Sequence, residues 1–148
     1  MRIGENGLKL IKHFEGFRNK PYRCAAGLFT VGYGHLIGDG LSLPDSWNRT
    51  FTVEECDALL ASDVRKFERG VGRYINVQLT QNQFDAIVVF AFNLGLGTLQ
   101  RSTLRAKLNR GDIPGALESW AKYNKAAGKV LRGLVLRRQA EIALFKGK

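Results

Sequence analysis

Between Phe17 and Leu43 the helical period that organises most of this chain disappears. Pro21, Gly27, Gly32, Gly34, Gly38 and Gly40 punctuate that segment into short runs such as Leu28-Phe29-Thr30-Val31. Tyr, Phe, Thr and Val set between glycines predict a small twisted β-hairpin or three-stranded sheet. The flanking sequence reads as helix. Glu5 to Glu15 places Leu8, Ile11 and Phe14 on one face and stops at Gly16. Thr52-Val53-Glu54-Glu55 has the pattern of a capping box, opening a helix expected to run from Thr52 to about Arg69 and to end near Gly70. A second box, Thr80-Gln81-Asn82-Gln83, opens a helix that is apolar around most of its circumference, the expected buried centre of a larger lobe. Asn93-Leu94-Gly95-Leu96-Gly97 ends it. Three further helices are expected at Ser102 to Asn109, Ile113 to Lys122 and Leu134 to Phe145, with a basic, glycine-bearing loop from Tyr123 to Gly133. One helix, a small sheet, then many helices is an α+β order with the sheet near the N-terminus.

At 148 residues this is one domain's worth of chain, long enough for a core without disulfide staples. The formal charge of +10 favours an anionic partner: nucleic acid, a membrane surface, or an acidic polymer such as bacterial cell wall. The longest apolar run, Ala86 to Phe92, is too short to span a bilayer, and the first seven residues lack the apolar core of a signal peptide. Two cysteines, Cys24 and Cys56, do not make a disulfide framework, so folding in a reducing cytoplasm is expected. The basic residues scatter along the chain without a helix-turn-helix or RNA-binding signature, which argues against a nucleic-acid-binding module. His13, Cys24, His35 and Cys56 lack zinc-ligand spacing, and Gly32-Tyr33-Gly34 is not a dinucleotide fingerprint, so neither metal nor cofactor is expected.

Glu15 is oddly placed for a structural carboxylate. It ends a helix, where the dipole disfavours an anion, and its neighbours Phe14, Gly16 and Phe17 are apolar or small. Such a setting favours the protonated carboxyl that a general acid needs. The alternative is an exposed helix-end Glu.

Eight residues separate Glu15 from Cys24 and five separate Cys24 from Thr30, after which comes Val31-Gly32-Tyr33-Gly34-His35. This pattern resembles the phage-type lysozymes (endolysins) of glycoside hydrolase family 24, whose signature is Glu-x8-Asp-or-Cys-x5-Thr followed by a Gly-x-Gly-His turn. The resemblance continues through Phe90-Ala91-Phe92-Asn93-Leu94-Gly95, Tyr123-Asn124-Lys125 and Gly133 to Glu141. It implies a lysozyme-like fold: a small sheet-bearing N-terminal lobe, roughly 1–51, a connecting helix, 52–70, and a larger helical lobe, 71–148. It also implies cleavage of the β-1,4 bond between N-acetylmuramic acid and N-acetylglucosamine in peptidoglycan. Glu15 would protonate the leaving oxygen, and Cys24 and Thr30 would manage a water on the opposite face. An inverting course needs the acid and base roughly 6.5–9.5 Å apart.

Cys24 stands where Asp is commoner in the family. A thiol is mostly neutral at pH 7 unless its pKa falls, which neighbouring Arg23 or Arg18 could bring about. Base, water-positioner and nucleophile all stay open for Cys24, and with them inverting or retaining chemistry. A lytic transglycosylase, cutting the same bond with an internal sugar hydroxyl, is the alternative activity.

Tyr33, Asn93, Asn124 and Gly128 are the candidate substrate contacts. His35 and Arg137 are expected to be structural, with Arg137 and Arg138 pairing to acidic groups near the N-terminal helix. Arg132 replaces the Pro often found before Gly-Leu. The resemblance further implies a protein made in the host cytoplasm and released to the wall by a holin; the N-terminal membrane anchor that some relatives carry is not expected from this sequence, and a monomer is expected.

Overall fold

The computed structural model describes residues 1–147. It divides into two compact units, Ile11–Arg65 and, separately, Met1–Leu10 with the chain from Lys66 on. Two helices, α1 (Glu5–Glu15) and α2 (Val53–Tyr74), contribute to both.

In the Ile11–Arg65 unit, β1 (Arg18–Arg23), β2 (Phe29–Gly32) and β3 (His35–Leu36) form an antiparallel sheet in that order. The glycine-punctuated segment is therefore the three-stranded alternative. Glycines make its turns possible: Gly27, Gly32 and Gly34 hold φ of 77°, 70° and 80°, values that strain an L side chain. The inner face buries Val31, Ile37, Phe51 and Cys56, with Phe29, Tyr33, Leu43, Trp47 and Leu59 packed around them. Cys56 lies directly under Gly32, where an added Cβ would stand 3.1 Å from its Sγ. A short 3-10 turn, Asp45–Trp47, which the sequence pattern does not signal, precedes α2.

The predicted capping box at Thr52 forms: its Oγ1 accepts from the Glu55 N–H at 3.1 Å, and Glu55 Oε1 accepts from the Thr52 N–H at 3.0 Å. The helix then continues past Gly70 to Tyr74. Gly70 is there for packing rather than termination. An added Cβ would come within 2.3 Å of the Leu96 side chain, so glycine lets a neighbouring residue approach the helix axis.

The other unit is helical. Its centre is α3 (Gln81–Leu94), opened by the second capping box and buried from Phe84 to Ala91. It packs chiefly against α7 (Arg132–Phe145), while α5 (Thr103–Asn109) packs on α6 (Ile113–Ala121). Gly95, at φ 94°, ends α3 and starts a short helix, α4 (Leu96–Arg101), where the sequence gives only a stop signal. The basic loop contains a two-stranded hairpin, β4 (Lys125–Ala126) and β5 (Lys129–Val130), turned at Ala127-Gly128. Both turn residues have positive φ, 51° and 78°, as a two-residue type I′ turn requires. α7 starts at Arg132, two residues before the expected Leu134.

The first ten residues belong to this helical unit for a physical reason. Glu68 accepts from the Ile3 N–H at 2.6 Å, and wholly buried Asp85 accepts from Gly4 and Gly7 at 2.8 and 3.1 Å. Gln81 adds bonds to Asp85 and to the Arg2 carbonyl. Two otherwise expensive buried carboxylates are thereby satisfied by main-chain donors. Among the described residues no helix is long and apolar enough to cross a membrane.

Candidate active site

Glu15 is the last residue of α1, where the Gly16 N–H closes on Lys12 O at 3.0 Å and the chain leaves through φ 74° at Gly16. Glu15 is half-buried, and its carboxyl lies against the β2–β3 turn. An ideal Cβ on Gly34 would be 3.3 Å from Glu15 Oε2. Only a residue without a side chain leaves that carboxyl its place. The Gly-Tyr-Gly-His turn is itself fixed from outside. His35 Nδ1 meets both carboxylate oxygens of Asp63 on α2 at 2.9 and 3.0 Å, and its ring stacks on Trp47 with centroids 5.7 Å apart. Asp63 had no local signal, since it lies 28 residues from His35 and only the fold joins them.

Tyr33, between the two turn glycines, packs beside Phe17 at 5.2 Å, and the Lys12 ammonium sits 5.2 Å from its ring. The same Lys12 pairs with Asp57 of α2 at 2.9 Å. Two aromatic rings, one of them on partly exposed Phe17, thus neighbour the turn that carries Glu15's contact.

Cys24 follows β1 at the hairpin turn. Its N–H bonds Leu28 O at 2.9 Å, and its carbonyl accepts from Gly27 at 2.8 Å. This tight loop turns main-chain N–H groups toward the sulfur. Hydrogen bonds from Leu28 and then Ala26 lower the thiol below its ordinary 9.0, with a further contribution from the Thr30 hydroxyl. The arginines do not supply this effect. Arg23 is engaged with Gly27 O at 3.3 Å and the Phe29 ring at 4.3 Å, and Arg18 lies over Tyr22. Thr30 is buried, and its Oγ1 donates to Leu28 O at 2.9 Å. Cys24 and Thr30 share Leu28 O, which accepts from the Cys24 N–H and from the Thr30 hydroxyl, while Thr30 stands opposite Tyr22 in the strand register. Cys56, the other free thiol, is buried, and burial pushes it up.

In the helical unit the residues divide differently. The buried arginine is Arg138, 1% exposed, rather than Arg137, which is half-buried. Its acidic partner is Glu141 of the same helix. Arg138 Nη2 donates to Glu141 Oε2 at 2.9 Å and to Asn93 Oδ1 at 2.5 Å, and Nη1 donates to Tyr123 O at 3.3 Å. Glu141 Oε1 accepts from Trp120 Nε1 at 2.9 Å. Burial outweighs the ion pair, so Glu141 is pushed up to about 7 and Arg138 down. Asn93 therefore has its side-chain oxygen occupied. Asn124 accepts from the Leu131 N–H through its carbonyl at 3.0 Å, and Gly128 forms the hairpin turn. The i,i+3 pair Arg138–Glu141 on a helix that docks on an apolar partner was the available signal for this network. Among the described residues no group of three or more His, Cys, Asp or Glu could hold a metal.

Comparison with known proteins gives concordant results. The phage lysozyme family model matches residues 12–141. The chain is 45% identical over 150 residues to an endolysin of Acyrthosiphon pisum secondary endosymbiont phage 1, covering 99% of each. It is 42% identical over 147 residues to an endolysin of Bacillus phage B103, covering 98% of this chain but 54% of that protein, so it spans about half of that relative's length. Among solved structures, the muramidase domain of SpmX from Asticaccaulis excentricus superposes with a TM-score of 0.84 at 33% identity, over 97% of both chains. With Glu15, Cys24 and Thr30 carried on the small sheet unit at the family's spacing, the chain belongs to the phage lysozyme family.

Proposed function

We infer that this chain is an endolysin that hydrolyses the β-1,4 bond between N-acetylmuramic acid and N-acetylglucosamine in peptidoglycan. Glu15 protonates the glycosidic oxygen as it leaves, and the thiol of Cys24, with the Thr30 hydroxyl, holds and activates the attacking water. The observation that carries this reading is the placement of Glu15, the last residue of α1, with its carboxyl against the Gly34 turn. Cys24 stands where a carboxylate is commoner in the family, and main-chain hydrogen bonds from Leu28 and Ala26 favour its thiolate, an acceptor and base. Thr30, its hydroxyl anchored on Leu28 O, helps to hold the attacking water.

Tyr33, with Phe17 behind it, offers a ring face to a sugar. The Asn93 amide nitrogen, Asn124 and the main chain at Gly128 supply polar contacts to N-acetyl and hydroxyl groups. His35 and Arg137 are structural in this reading. The protein acts as a monomer, is made in the host cytoplasm and reaches the wall after holin-dependent release.

Two measurements test the reading. Glu15→Gln is nearly isosteric and should unfold at the wild-type temperature while losing about 10²–10⁴-fold in muropeptide release. Retention of more than about a tenth of the activity removes Glu15 as the acid. Mass spectrometry of the released muropeptides should show reducing ends. Anhydro-muramic ends would instead assign the transglycosylase reaction.

A further inference from the structure

The charge is not spread evenly over the two units. The helical unit holds seventeen of the 23 Lys and Arg residues and six of the 13 Asp and Glu, a net of +11, whereas the sheet-bearing unit is at −1. Three of those six acids, Glu68, Asp85 and Glu141, are buried and hydrogen-bonded internally, so the surface of the helical unit is more cationic than its formal charge. The linear sequence concealed this, because the bases look scattered until the fold groups them.

One stretch concentrates the effect. Residues 119–140 contain six Lys or Arg and no acid. Lys122, Lys125, Lys129 and Arg132 are all exposed, on the β4–β5 hairpin and at its two ends. None of these four makes an ion pair among the described residues. The same stretch carries three of the large apolar side chains that remain in solvent: Val130 at 57%, Leu131 at 44% and Leu136 at 43%. Val130 lies directly opposite Lys125 in the hairpin register, and Ala126 opposite Lys129. Cross-strand partners share a face, so Lys125 and Val130 stand together.

We propose that this hairpin and the first turns of α7 form a docking surface for an anionic phospholipid bilayer. A purely polyanionic polymer would be matched by the charges alone. The bare Val130, Leu131 and Leu136 beside them suit an interface in which lysines meet phosphate headgroups and short apolar side chains enter the headgroup–acyl boundary. The two faces of the hairpin are solvated, so it can tilt onto such a surface without unpacking the core. The region differs from the buried side of α7, where Arg138, Glu141 and Phe145 lie within the fold.

The test is co-sedimentation of the whole protein with vesicles of phosphatidylcholine containing phosphatidylglycerol, against phosphatidylcholine alone. Binding to the anionic vesicles and its loss in high salt are expected. Each basic side chain near such a surface is worth about fivefold in partitioning, so Lys125→Gln with Lys129→Gln should lower it about 30-fold. Val130→Ser with Leu131→Ser should also weaken vesicle binding, while binding to a heparin column stays as in wild type. Thermal unfolding of both double variants verifies that they are folded. Equal binding to both vesicle types, or none to either, overturns the proposal. So does full vesicle binding by the Val130/Leu131 variant, which would assign the surface to soluble polyanions.

Discussion

Replacing Gly34 by alanine tests the placement of Glu15 directly. The residue sits at φ 80°, and a Cβ there would lie 3.3 Å from Glu15 Oε2 and 3.9 Å from its carboxyl carbon. Two costs follow. An L residue in left-handed backbone costs about 1–2 kcal/mol. The contact is also tighter than ordinary van der Waals approach, so the carboxyl must move by a few tenths of an ångström. A misplacement of about 1 Å in a catalytic group can cost about 10²-fold, so this smaller shift should cost about tenfold in kcat. KM should change little, because the acid acts in the transition state rather than in ground-state binding. Gly38 supplies the control. It has φ 58° and nothing within 4 Å of an added Cβ, so Gly38→Ala bears similar backbone strain with no contact to Glu15. Ala127 already occupies φ 51° in this chain, which shows that such strain is tolerated. The assay pairs denaturant unfolding with initial rates of muropeptide release below the unfolding range. Both variants should lose about 1–2 kcal/mol of stability, and only Gly34→Ala should lose activity. Full activity in folded Gly34→Ala would refute the claim that Glu15 works from this position. An equal loss in Gly38→Ala would assign the effect to backbone strain.

Three other outcomes are expected. The lowered Cys24 thiol ionises as pH rises, so alkylation should inactivate the enzyme progressively faster toward alkaline pH, with a midpoint below that of a free thiol, while buried Cys56 stays unlabelled. Cys24→Asp should keep activity at mildly acidic pH and Cys24→Ala should lose most of it; a fully active alanine variant takes Cys24 out of the mechanism. Glu141 is raised from 4.5 to about 7 in the folded state, so the fold holds its proton more tightly than the unfolded chain does. Its contribution is present below about pH 4.5 and is lost as pH rises through about 7, on the order of 3 kcal/mol. Glu141→Gln should remove that slope from unfolding curves taken between pH 4 and 8, and unchanged slopes contradict the buried-acid account. Finally, Gly72→Ala meets nothing within 4 Å on α2 and should stabilise by up to about 1 kcal/mol. Gly70→Ala drives a Cβ into Leu96 and should destabilise by about 1–2 kcal/mol after the helix-propensity gain, so similar melting temperatures for the two variants would discredit the packing role of Gly70.

Local chemistry was sufficient for the parts of this protein that depend on neighbouring residues in the chain. Both capping boxes, the limits of α1 at Glu5 and Glu15, and the sheet between Phe17 and Leu43 were legible, because caps, glycine turns and side-chain period act over a few residues. The Glu15, Cys24, Thr30 spacing is local in the same sense, since it spans one helix end and one hairpin, with Cys24 at the turn and Thr30 on β2. The tertiary structure decided what distance along the chain hides. Gly70 read as a stop because its partner, Leu96, is 26 residues away, and a helix passes through glycine when a close packing contact requires it. Arg138 rather than Arg137 became the buried cation because helix rotation, set by docking of α7 on α3, chooses between adjacent residues. Donors to Cys24 came from main-chain N–H groups rather than from the adjacent arginines, because loop geometry aims amides while long side chains find other partners. The gathering of positive charge on the helical unit is likewise a property of which segments pack together, and no linear count of Lys and Arg contains it.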